Sequence, residues 1–317
     1  YGGYTERGKH MRYSREIIEK VKKEICEVAA GLRRKNEIAP VSGRRMMISM
    51  PDREIGVVFY PAKEENAPLI LGFHGGGFLL GGSALNDAMW LETGKTLDAA
   101  VASVDYRQSP DYQYMEAILD AYDAAVYFKK NASLYGIDPE KISVMGCSAG
   151  AGLAASVCLY AKEKEQQLFD SQILLYPFLD ADTDPMAKGE GSLQGPVMYV
   201  FNELHCKPQD AAKPLVSPVF ASNAMIRGLP RAIFCYADYD NLKAEGKRYA
   251  AMLRRVGISV EEMTAEGMPH GFYEHGFSTY TEAEMGFMSE QERQMVRDGS
   301  LHRASVACLH FIKQYFR

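Results

Sequence analysis

A segment near the middle of the chain carries the residue best placed to do chemistry. Lys141–Tyr160 reads KISVMGCSAGAGLAASVCLY, in which an apolar run turns through Gly146–Gly150 into apolar residues at helical spacing. The pattern predicts a strand, a sharp turn and a helix, with Ser148 on the turn. Gly-x-Ser-x-Gly is typical of a nucleophile elbow, where glycines let neighbouring backbone come close to an exposed serine. Ser148 is therefore a candidate nucleophile, although the same residues could form an ordinary loop.

Acyl transfer through a serine needs a base, an acid that orients the base, and N–H donors for the tetrahedral oxyanion. In this topology the acid and then the histidine follow the serine, on loops after later strands. Asp238 and Asp240 follow the apolar run Ala232–Tyr236. His270 follows the run Val260–Thr264. The order is met, and all of these side chains are expected at the sheet edge that carries the serine.

A glycine loop supplies the remaining requirement. His74–Gly77 follows the predicted strand Pro68–Phe73, and unhindered glycine backbone can turn its N–H groups toward a developing charge. A phosphate-binding loop is the rival interpretation, but no Gly-Lys-Ser/Thr sequence follows the glycines. His74 is expected to hold the loop by hydrogen bonding. The predicted oxyanion donors are the N–H groups of Gly75, Gly76, Gly77 and Ala149.

Five segments together resemble the hormone-sensitive-lipase-like family of α/β-hydrolase esterases. Members of that family share HGGG(F/W), DYR, GxSAG, (D/E)xDxLxxEG and a terminal HxF. The corresponding segments here are His74–Phe78, Asp105–Arg107, Gly146–Gly150, Asp238–Gly246 and His270–Phe272. The resemblance covers the chain from about residue 45 to its end. It implies an α/β-hydrolase fold and a serine esterase.

The resemblance also assigns roles to candidates that the residues alone leave open. The family's acid occupies the second acidic place of its segment, which implies Asp240 as the orienting acid and leaves Asp238 as a structural acceptor for loop N–H groups. His-Gly-Phe occurs twice, and His270 is favoured over His275 because it follows the last strand directly. The implied catalytic residues are Ser148, Asp240 and His270.

Some positions depart from the family pattern. Cys147 precedes the serine where many relatives have Asp or Thr, and Ala151 stands where they have a further glycine. Asn241 replaces a frequent proline, and the segment 274–299 is longer than the usual connection. These differences affect the placement within the family and the rim of the pocket.

The apolar periodicity predicts how these residues are positioned. Met46–Met50 and Ile55–Tyr60 read as an antiparallel hairpin, after which strands and helices alternate. We expect a mostly parallel eight-stranded sheet with helices on both faces and a small helical cap. Residues 11–40, with an amphipathic helix over Tyr13–Arg34, are predicted to be an amino-terminal cap segment, and residues 41–317 the catalytic domain. The excursions 182–227 and 274–299 are expected to cover the site, with simple surface insertions as the alternative.

Bulky side chains in these segments predict a short acyl slot. The predicted substrate-binding residues are Phe78, Leu79, Tyr199, Phe201, Tyr239 and Phe272. Aromatic residues of this kind also serve as core, so the two interpretations compete. The segment 274–299, with its acids, Tyr280 and Gln291, is expected to form a wider polar mouth that suits a hydrophilic alcohol such as an acetylated sugar.

Composition excludes other classes of function. A net charge of −5 and a pI near 5.9, with no basic cluster, argue against nucleic acid. Six scattered cysteines without a Cys-x-x-Cys pair favour a reduced, cytoplasmic chain without zinc. No apolar run reaches the length of a membrane span. The expected partner is a small-molecule ester, with no nucleic acid and no membrane, and a homodimer is left open.

The sequence therefore predicts a serine carboxylesterase that hydrolyses short-chain acyl esters, acetyl esters first, without cofactor or metal. Amidase, carbamate hydrolase and peptidase activities use the same machinery and stay open. A non-catalytic small-molecule receptor on the same scaffold is disfavoured, because such receptors of this family typically lack the histidine that is retained here as His270.

Overall fold

A single sheet is the framework of the part of the chain that the computed structural model describes, residues 13–280, 285 and 288–316. Its strands, in chain order, are β1 (Arg44–Ser49), β2 (Glu54–Tyr60), β3 (Ala67–Phe73), β4 (Ala100–Asp105), β5 (Ile137–Cys147), β6 (Ser171–Leu175), β7 (Arg231–Tyr239) and β8 (Val260–Pro269). Within the described residues, these eight strands lie side by side in the order β1-β2-β4-β3-β5-β6-β7-β8.

The sheet is mostly parallel, as predicted. β1 pairs with β2 and β2 with β4 in antiparallel register, and all later pairs are parallel. The first hairpin forms because a proline turn separates two apolar runs, whereas the later strands are joined through crossover segments. The prediction of an antiparallel start followed by a parallel sheet is confirmed.

Helices cover both faces of the sheet. Those of the described residues are α1 (Arg15–Ile38), α2 (Asp87–Leu97), α3 (Tyr114–Lys130), α4 (Ala149–Glu163), α5 (Gly195–His205), α6 (Asn223–Ile226), α7 (Lys243–Arg255), α8 (Phe272–Phe277), α9 (Glu290–Arg297) and α10 (Ser300–Tyr315). Helices α3, α4 and α7 contribute to one buried apolar cluster, and α2, α8 and α10 to a second. Parallel strands need such cover on both sides, because both of their faces are apolar. No helix in the described residues is long and apolar enough to cross a bilayer.

The last two strands are longer than the sequence predicted. The expected runs ended at Tyr236 and Thr264, but β7 continues to Tyr239 and β8 to Pro269. The reason is a pairing beyond a register shift, in which Tyr239 lies opposite Pro269. Polar residues and a glycine extend these strands because the backbone groups of the neighbouring strand are available for hydrogen bonds. The segments that carry the candidate acid and histidine therefore leave the sheet side by side.

Two excursions lie over the sheet. Helix α1 packs against α5, where Lys22 Nζ donates to Glu203 Oε1 at 2.8 Å. The second excursion contains α8 and α9, and residues 281–284 and 286–287 of the predicted insertion lie outside the described residues. The division of the chain into residues 11–40 and 41–317 stays a prediction.

A buried ion pair fastens the first excursion to the domain. Lys188 Nζ lies 2.6 Å from Glu245 Oε2, with the two side chains only 3% and 6% exposed. The other carboxylate oxygen accepts N–H groups of Leu179 and Asp180, just after β6. Burial raises the pKa of Glu245 to about 7, although the lysine charge and these hydrogen bonds act against the rise. The pair therefore links the start of the excursion to α7.

We expect Lys188→Met to destabilise the fold by about 3–5 kcal/mol, because it leaves a buried carboxylate without its partner. The folded-state pKa of Glu245 lies above the ordinary value of 4.5, so the folded protein holds this proton more tightly than the unfolded chain. The stability lost in the variant should therefore be larger near about pH 8, where Glu245 is ionised, than near about pH 5, where it is protonated. Denaturant unfolding at both pH values measures it.

Lys213 provides the matched control, since its side chain is 55% exposed where it pairs with Asp210. Lys213→Met should leave the free energy of unfolding unchanged within error, as exposed ion pairs contribute little. Equal losses in the two variants would show that burial does not set the importance of Lys188.

Candidate active site

Ser148 sits between the end of β5 and the start of α4 in a strained backbone conformation. Its φ is 55° and its ψ −118°, which costs a non-glycine residue about 1–3 kcal/mol. The Ser148 N–H donates to Leu175 O at 2.9 Å, and its carbonyl accepts N–H groups of Ala151 at 3.0 Å and Phe178 at 3.1 Å. These bonds hold the turn against its strain and present the hydroxyl at the carboxyl edge of the sheet.

Close backbone packing requires glycine at both elbow positions, Gly146 and Gly150. A Cβ on Gly150 would lie 2.2 Å from Phe73 O, and a Cβ on Gly146 would lie 2.1 Å from Gly150 O. No side chain fits at such distances from backbone atoms. The glycines therefore allow α4 to approach both its own turn and the end of β3, as the elbow pattern requires.

The structure brings Ser148, His270 and Asp240 into one chain of hydrogen bonds. His270 Nε2 lies 2.8 Å from Ser148 Oγ, and His270 Nδ1 lies 2.9 Å from Asp240 Oδ2. The carboxylate can only accept, so Nδ1 carries the proton and Nε2 is free to accept from the serine hydroxyl. This is the tautomer in which an imidazole can take the hydroxyl proton.

Backbone contacts fix the acid and the histidine. Asp240 Oδ1 accepts the Leu242 N–H at 2.9 Å, and the His270 N–H donates to Ser192 Oγ at 2.8 Å. Burial alone would lower the pKa of His270. The charge of Asp240 and its hydrogen bond raise the pKa by more than that, so it lies above the ordinary value of 6.5. A positive charge on this imidazole is thereby stabilised.

The rival acid and histidine lie elsewhere. Asp238 accepts from Lys243 Nζ at 2.7 Å and from the Gly267 N–H at 3.2 Å. His275 Nδ1 is hydrogen-bonded to the hydroxyl of Tyr280. Neither side chain contacts Ser148 in the described part of the chain.

The glycine loop is held by His74. Burial lowers the pKa of this imidazole, which keeps it neutral. Its Nδ1 lies 2.8 Å from Gly75 O and its Nε2 3.0 Å from Gln108 Nε2, so Nδ1 donates to the carbonyl and Nε2 accepts from the amide. In a trans peptide the carbonyl of Gly75 and the N–H of Gly76 point in opposite directions. The Gly76 N–H is therefore directed away from His74.

One predicted oxyanion donor is already occupied. The Gly75 N–H donates to Glu274 Oε1 at 3.1 Å, so this group is not available to a substrate. Within the described residues, the N–H groups of Gly76, Gly77 and Ala149 have no hydrogen-bond partner. The candidate oxyanion donors that remain are therefore the N–H groups of these three residues.

An apolar cavity opens beside the serine. It has a volume of about 30 Å³ and is lined by Gly77, Phe78, Ser148, Ala149, Phe178, Leu193, Met198, Phe201, Asn202 and Leu242. The Phe201 ring lies directly on the loop, since a Cβ on Gly77 would come within 2.4 Å of it. The Phe78 ring stacks on His205 with the centroids 3.6 Å apart. Two packed aromatic rings therefore form part of the wall of this cavity.

Four of the six predicted substrate-binding residues do not line this cavity. Leu79 and Phe272 are completely buried in the core, and the Tyr199 hydroxyl donates to Asp184. Tyr239 is half exposed and faces a separate groove. For Leu79 and Tyr199 a sequence neighbour lines the cavity instead, Phe78 in the first case and Met198 in the second. Phe78 and Phe201 do line the cavity.

The separate groove is polar and lies beside the histidine loop. Its lining residues are Gly191, Ser192, Gln194, Tyr239, Gly267, Pro269, Met288, Ser289, Gln291 and Glu292. Ser192 connects this groove with the histidine loop, because its hydroxyl accepts the His270 N–H. Gln291 of the predicted mouth belongs to this groove.

Sequence reasoning missed Ser192, Gln108 and Glu274. Ser192 lies in an irregular segment without a motif, and nothing in the sequence pairs it with His270. Gln108 directly follows the Asp105–Arg107 segment. Glu274 lies at the start of the predicted insertion, and no motif connects it with Gly75.

Known proteins resemble this chain over most of its length. Residues 70–274 match a family model described as alpha/beta hydrolase fold. An arylesterase of Saccharolobus solfataricus is 30% identical over 267 residues, which cover 82% of this chain and 86% of that protein. The carboxylic ester hydrolase LipN of Mycobacterium tuberculosis is 33% identical over 260 residues, which cover 78% of this chain and 67% of that protein.

Solved structures give the same result. An esterase of Pyrobaculum calidifontis superimposes with a TM-score of 0.71 at 28% identity, covering 92% of this chain and 94% of that one. The carboxylesterase EstE1, cloned from a metagenomic library, superimposes with a TM-score of 0.72 at 27% identity, covering 93% and 97%. With the elbow, the glycine loop and the sheet order described above, these matches show that the chain belongs to the alpha/beta-hydrolase fold family, within its hormone-sensitive-lipase-like carboxylic ester hydrolases.

Proposed function

We propose that this protein is a serine carboxylesterase that hydrolyses short-chain acyl esters, with acetyl esters preferred, through a covalent acyl-enzyme. The observation that carries the proposal is the hydrogen-bonded chain from Ser148 Oγ through His270 to Asp240, which opens onto the apolar slot. The kinship with esterases supports the reaction class.

In the acylation step, His270 Nε2 takes the hydroxyl proton while Ser148 Oγ attacks the ester carbonyl carbon. The carbonyl oxygen becomes an oxyanion, which the N–H groups of Gly76, Gly77 and Ala149 stabilise. The C–O bond to the alcohol then breaks, and His270 gives its proton to the departing oxygen. Asp240 keeps the imidazole oriented and stabilises its positive charge.

In the second step, His270 removes a proton from water, and the resulting hydroxide oxygen attacks the acyl carbon. A second oxyanion forms at the same N–H groups and collapses to release the carboxylic acid. The proton returns from His270 to Ser148 Oγ. The histidine thus acts first as base and then as acid in each half of the reaction.

The shape of the slot supports a short acyl group. An acyl chain gains about 0.8 kcal/mol for each buried methylene, so a preference for short chains requires a physical stop. Phe201 and Phe78 provide it, because one ring lies on Gly77 and the other is stacked on His205. The polar groove with Gln291 supports a hydrophilic alcohol such as a sugar.

The first prediction concerns the nucleophile. Ser148→Ala should abolish hydrolysis of p-nitrophenyl acetate, because no other group in the slot can form the acyl-enzyme. The fold should be retained, since His270 is the one hydrogen-bond partner of the hydroxyl among the described residues. Initial rates and circular dichroism check the two parts, and near-normal turnover in a folded variant would refute the serine mechanism.

The second prediction separates the two aspartates by pH dependence. Neutral His270 is required, so kcat/KM should rise with pH through a pKa above the ordinary imidazole value of 6.5. Asp240→Asn removes the charge that raises this pKa, so the rise in kcat/KM should move to lower pH. The plateau value of kcat/KM should fall by orders of magnitude, since the same substitution in the serine-protease triad lowers kcat about 10⁴-fold.

Asp238→Asn is the matched control, because Asp238 bonds to Lys243 and Gly267 and not to the imidazole. It should move neither the pH profile nor the plateau by more than about threefold. A larger effect for Asp238→Asn than for Asp240→Asn would mean that the acid has been assigned to the wrong residue.

The third prediction concerns the acyl chain. For p-nitrophenyl esters, kcat/KM should peak between acetyl and butyryl and fall steeply beyond about eight carbons, where the closed slot makes each methylene a steric cost. Phe201→Ala should shift the optimum to longer chains. Tyr199→Phe, on the same helix but outside the slot, should leave the profile unchanged.

Efficiency that rises from butyryl to dodecanoyl in the unmodified enzyme would contradict the closed slot. Release of acetate from peracetylated xylose tests the alcohol side separately. Its absence would remove the sugar substrate while leaving the esterase proposal intact.

A further inference from the structure

Glu274 is a carboxylate beside the catalytic centre that the mechanism above does not use. It lies in the first turn of α8, four residues after His270, and is partly buried behind the glycine loop. Its Oε1 accepts the Gly75 N–H at 3.1 Å and the Asn86 amide at 3.2 Å, and its Oε2 lies 3.4 Å from the Tyr176 hydroxyl. Every one of these contacts is to a donor.

The contact with Gly75 completes the fixing of two successive peptide groups. In the first, the carbonyl of His74 accepts the Tyr106 hydroxyl at 2.8 Å, and the N–H of Gly75 donates to Glu274. In the second, the carbonyl of Gly75 accepts from His74 Nδ1. With both planes held, the direction of the Gly76 N–H is set. Glycine backbone has many accessible conformations, so such a loop needs anchors of this kind.

The carboxyl group is in direct contact with the loop backbone. A Cβ on Gly75 would lie 2.9 Å from Glu274 Oε2, 3.0 Å from Oε1 and 3.1 Å from Cys147 O. The absence of a side chain at position 75 therefore makes room for the carboxyl group of Glu274. Gly76 and Gly77, in contrast, have positive φ values of 107° and 62°, and their N–H groups have no hydrogen-bond partner among the described residues.

We propose that Glu274 is a positioning residue for the oxyanion-binding loop. By accepting the Gly75 N–H, it holds the loop so that the N–H groups of Gly76 and Gly77 are already aimed when the tetrahedral intermediate forms. This inference rests on the esterase function proposed above. It predicts that the hydrogen-bond acceptor, and not the negative charge, is the property that matters.

The charge of Glu274 helps to raise the pKa of His270, so charge and loop acceptor are separate properties of this side chain. Burial raises the pKa of the Glu274 carboxyl, and the hydrogen bond from Gly75, the charge of His270 and the contacts with Asn86 and Tyr176 act against the rise. A carboxyl group can accept the Gly75 N–H through Oε1 in either protonation state.

A matched pair of variants separates acceptor from charge. Glu274→Gln keeps an acceptor oxygen for Gly75 and Asn86 and places its NH₂ group toward the Tyr176 hydroxyl, which can accept. Glu274→Met has similar length and helix propensity but offers only a weak sulfur acceptor. We expect Glu274→Gln to retain kcat within about threefold, and Glu274→Met to lose about 10- to 100-fold in kcat with KM within about threefold, a fraction of the loss caused by deleting an oxyanion donor.

A second measurement does not depend on turnover. Hydrogen–deuterium exchange of a peptide covering residues 74–80 should be faster in Glu274→Met than in the unmodified protein, and unchanged in Glu274→Gln. A purely structural role would lower the thermal stability of Glu274→Met without a selective effect on kcat or on exchange in this peptide.

Three results would overturn the proposal. They are a folded Glu274→Met variant with unchanged kcat, exchange in the loop that is no faster in that variant, or equal impairment of the two variants, which would make the charge decisive. If the unmodified protein has no esterase activity, the proposed function fails, and the exchange experiment still decides whether Glu274 anchors the loop.

Discussion

The left-handed backbone at Ser148 is the constraint on which the rest of the structure depends. A serine held at φ 55° points its hydroxyl out of the sheet, but only if backbone from three other elements closes around the turn. Leu175 of β6 and Phe178 beyond it supply hydrogen bonds, and Gly150 lets α4 pass within contact of the end of β3. The nucleophile is thus placed by main-chain packing, and the strain is balanced by bonds formed elsewhere.

The acid and the histidine are placed by strand pairing. Because β7 and β8 stay paired as far as Tyr239 and Pro269, the next residues of each strand, Asp240 and His270, emerge together. Each is then fixed by one backbone bond, Asp240 by the Leu242 N–H and His270 by Ser192. The site therefore sits on rigid elements, and the long excursions contribute its walls.

Most of the fold and the triad candidates could be predicted from sequence, because they depend on local patterns. Alternating apolar runs predict the sheet, and the elbow motif requires glycine for reasons visible in five residues. The role of Gly75 could not be predicted in this way. A triple glycine looks like three equivalent donors, but which N–H stays free depends on Glu274, 199 residues away in the chain. The assignment of Leu79 and Tyr199 to the substrate-binding site was wrong for a related reason. Periodicity does not show which of two neighbouring bulky residues faces a cavity.

The same imidazole group serves different purposes around the site because its surroundings differ. Burial lowers the pKa of His205 to about 3, so its stack on Phe78 is a neutral ring contact at any working pH. Burial also lowers the pKa of His74, which keeps the tautomer that holds Gly75. Only His270, of these three, faces a carboxylate along its Nδ1–H, and its pKa is raised. These two imidazoles therefore stay neutral where they hold the loop and the Phe78 ring, and the imidazole that contacts the serine is the one whose pKa is raised.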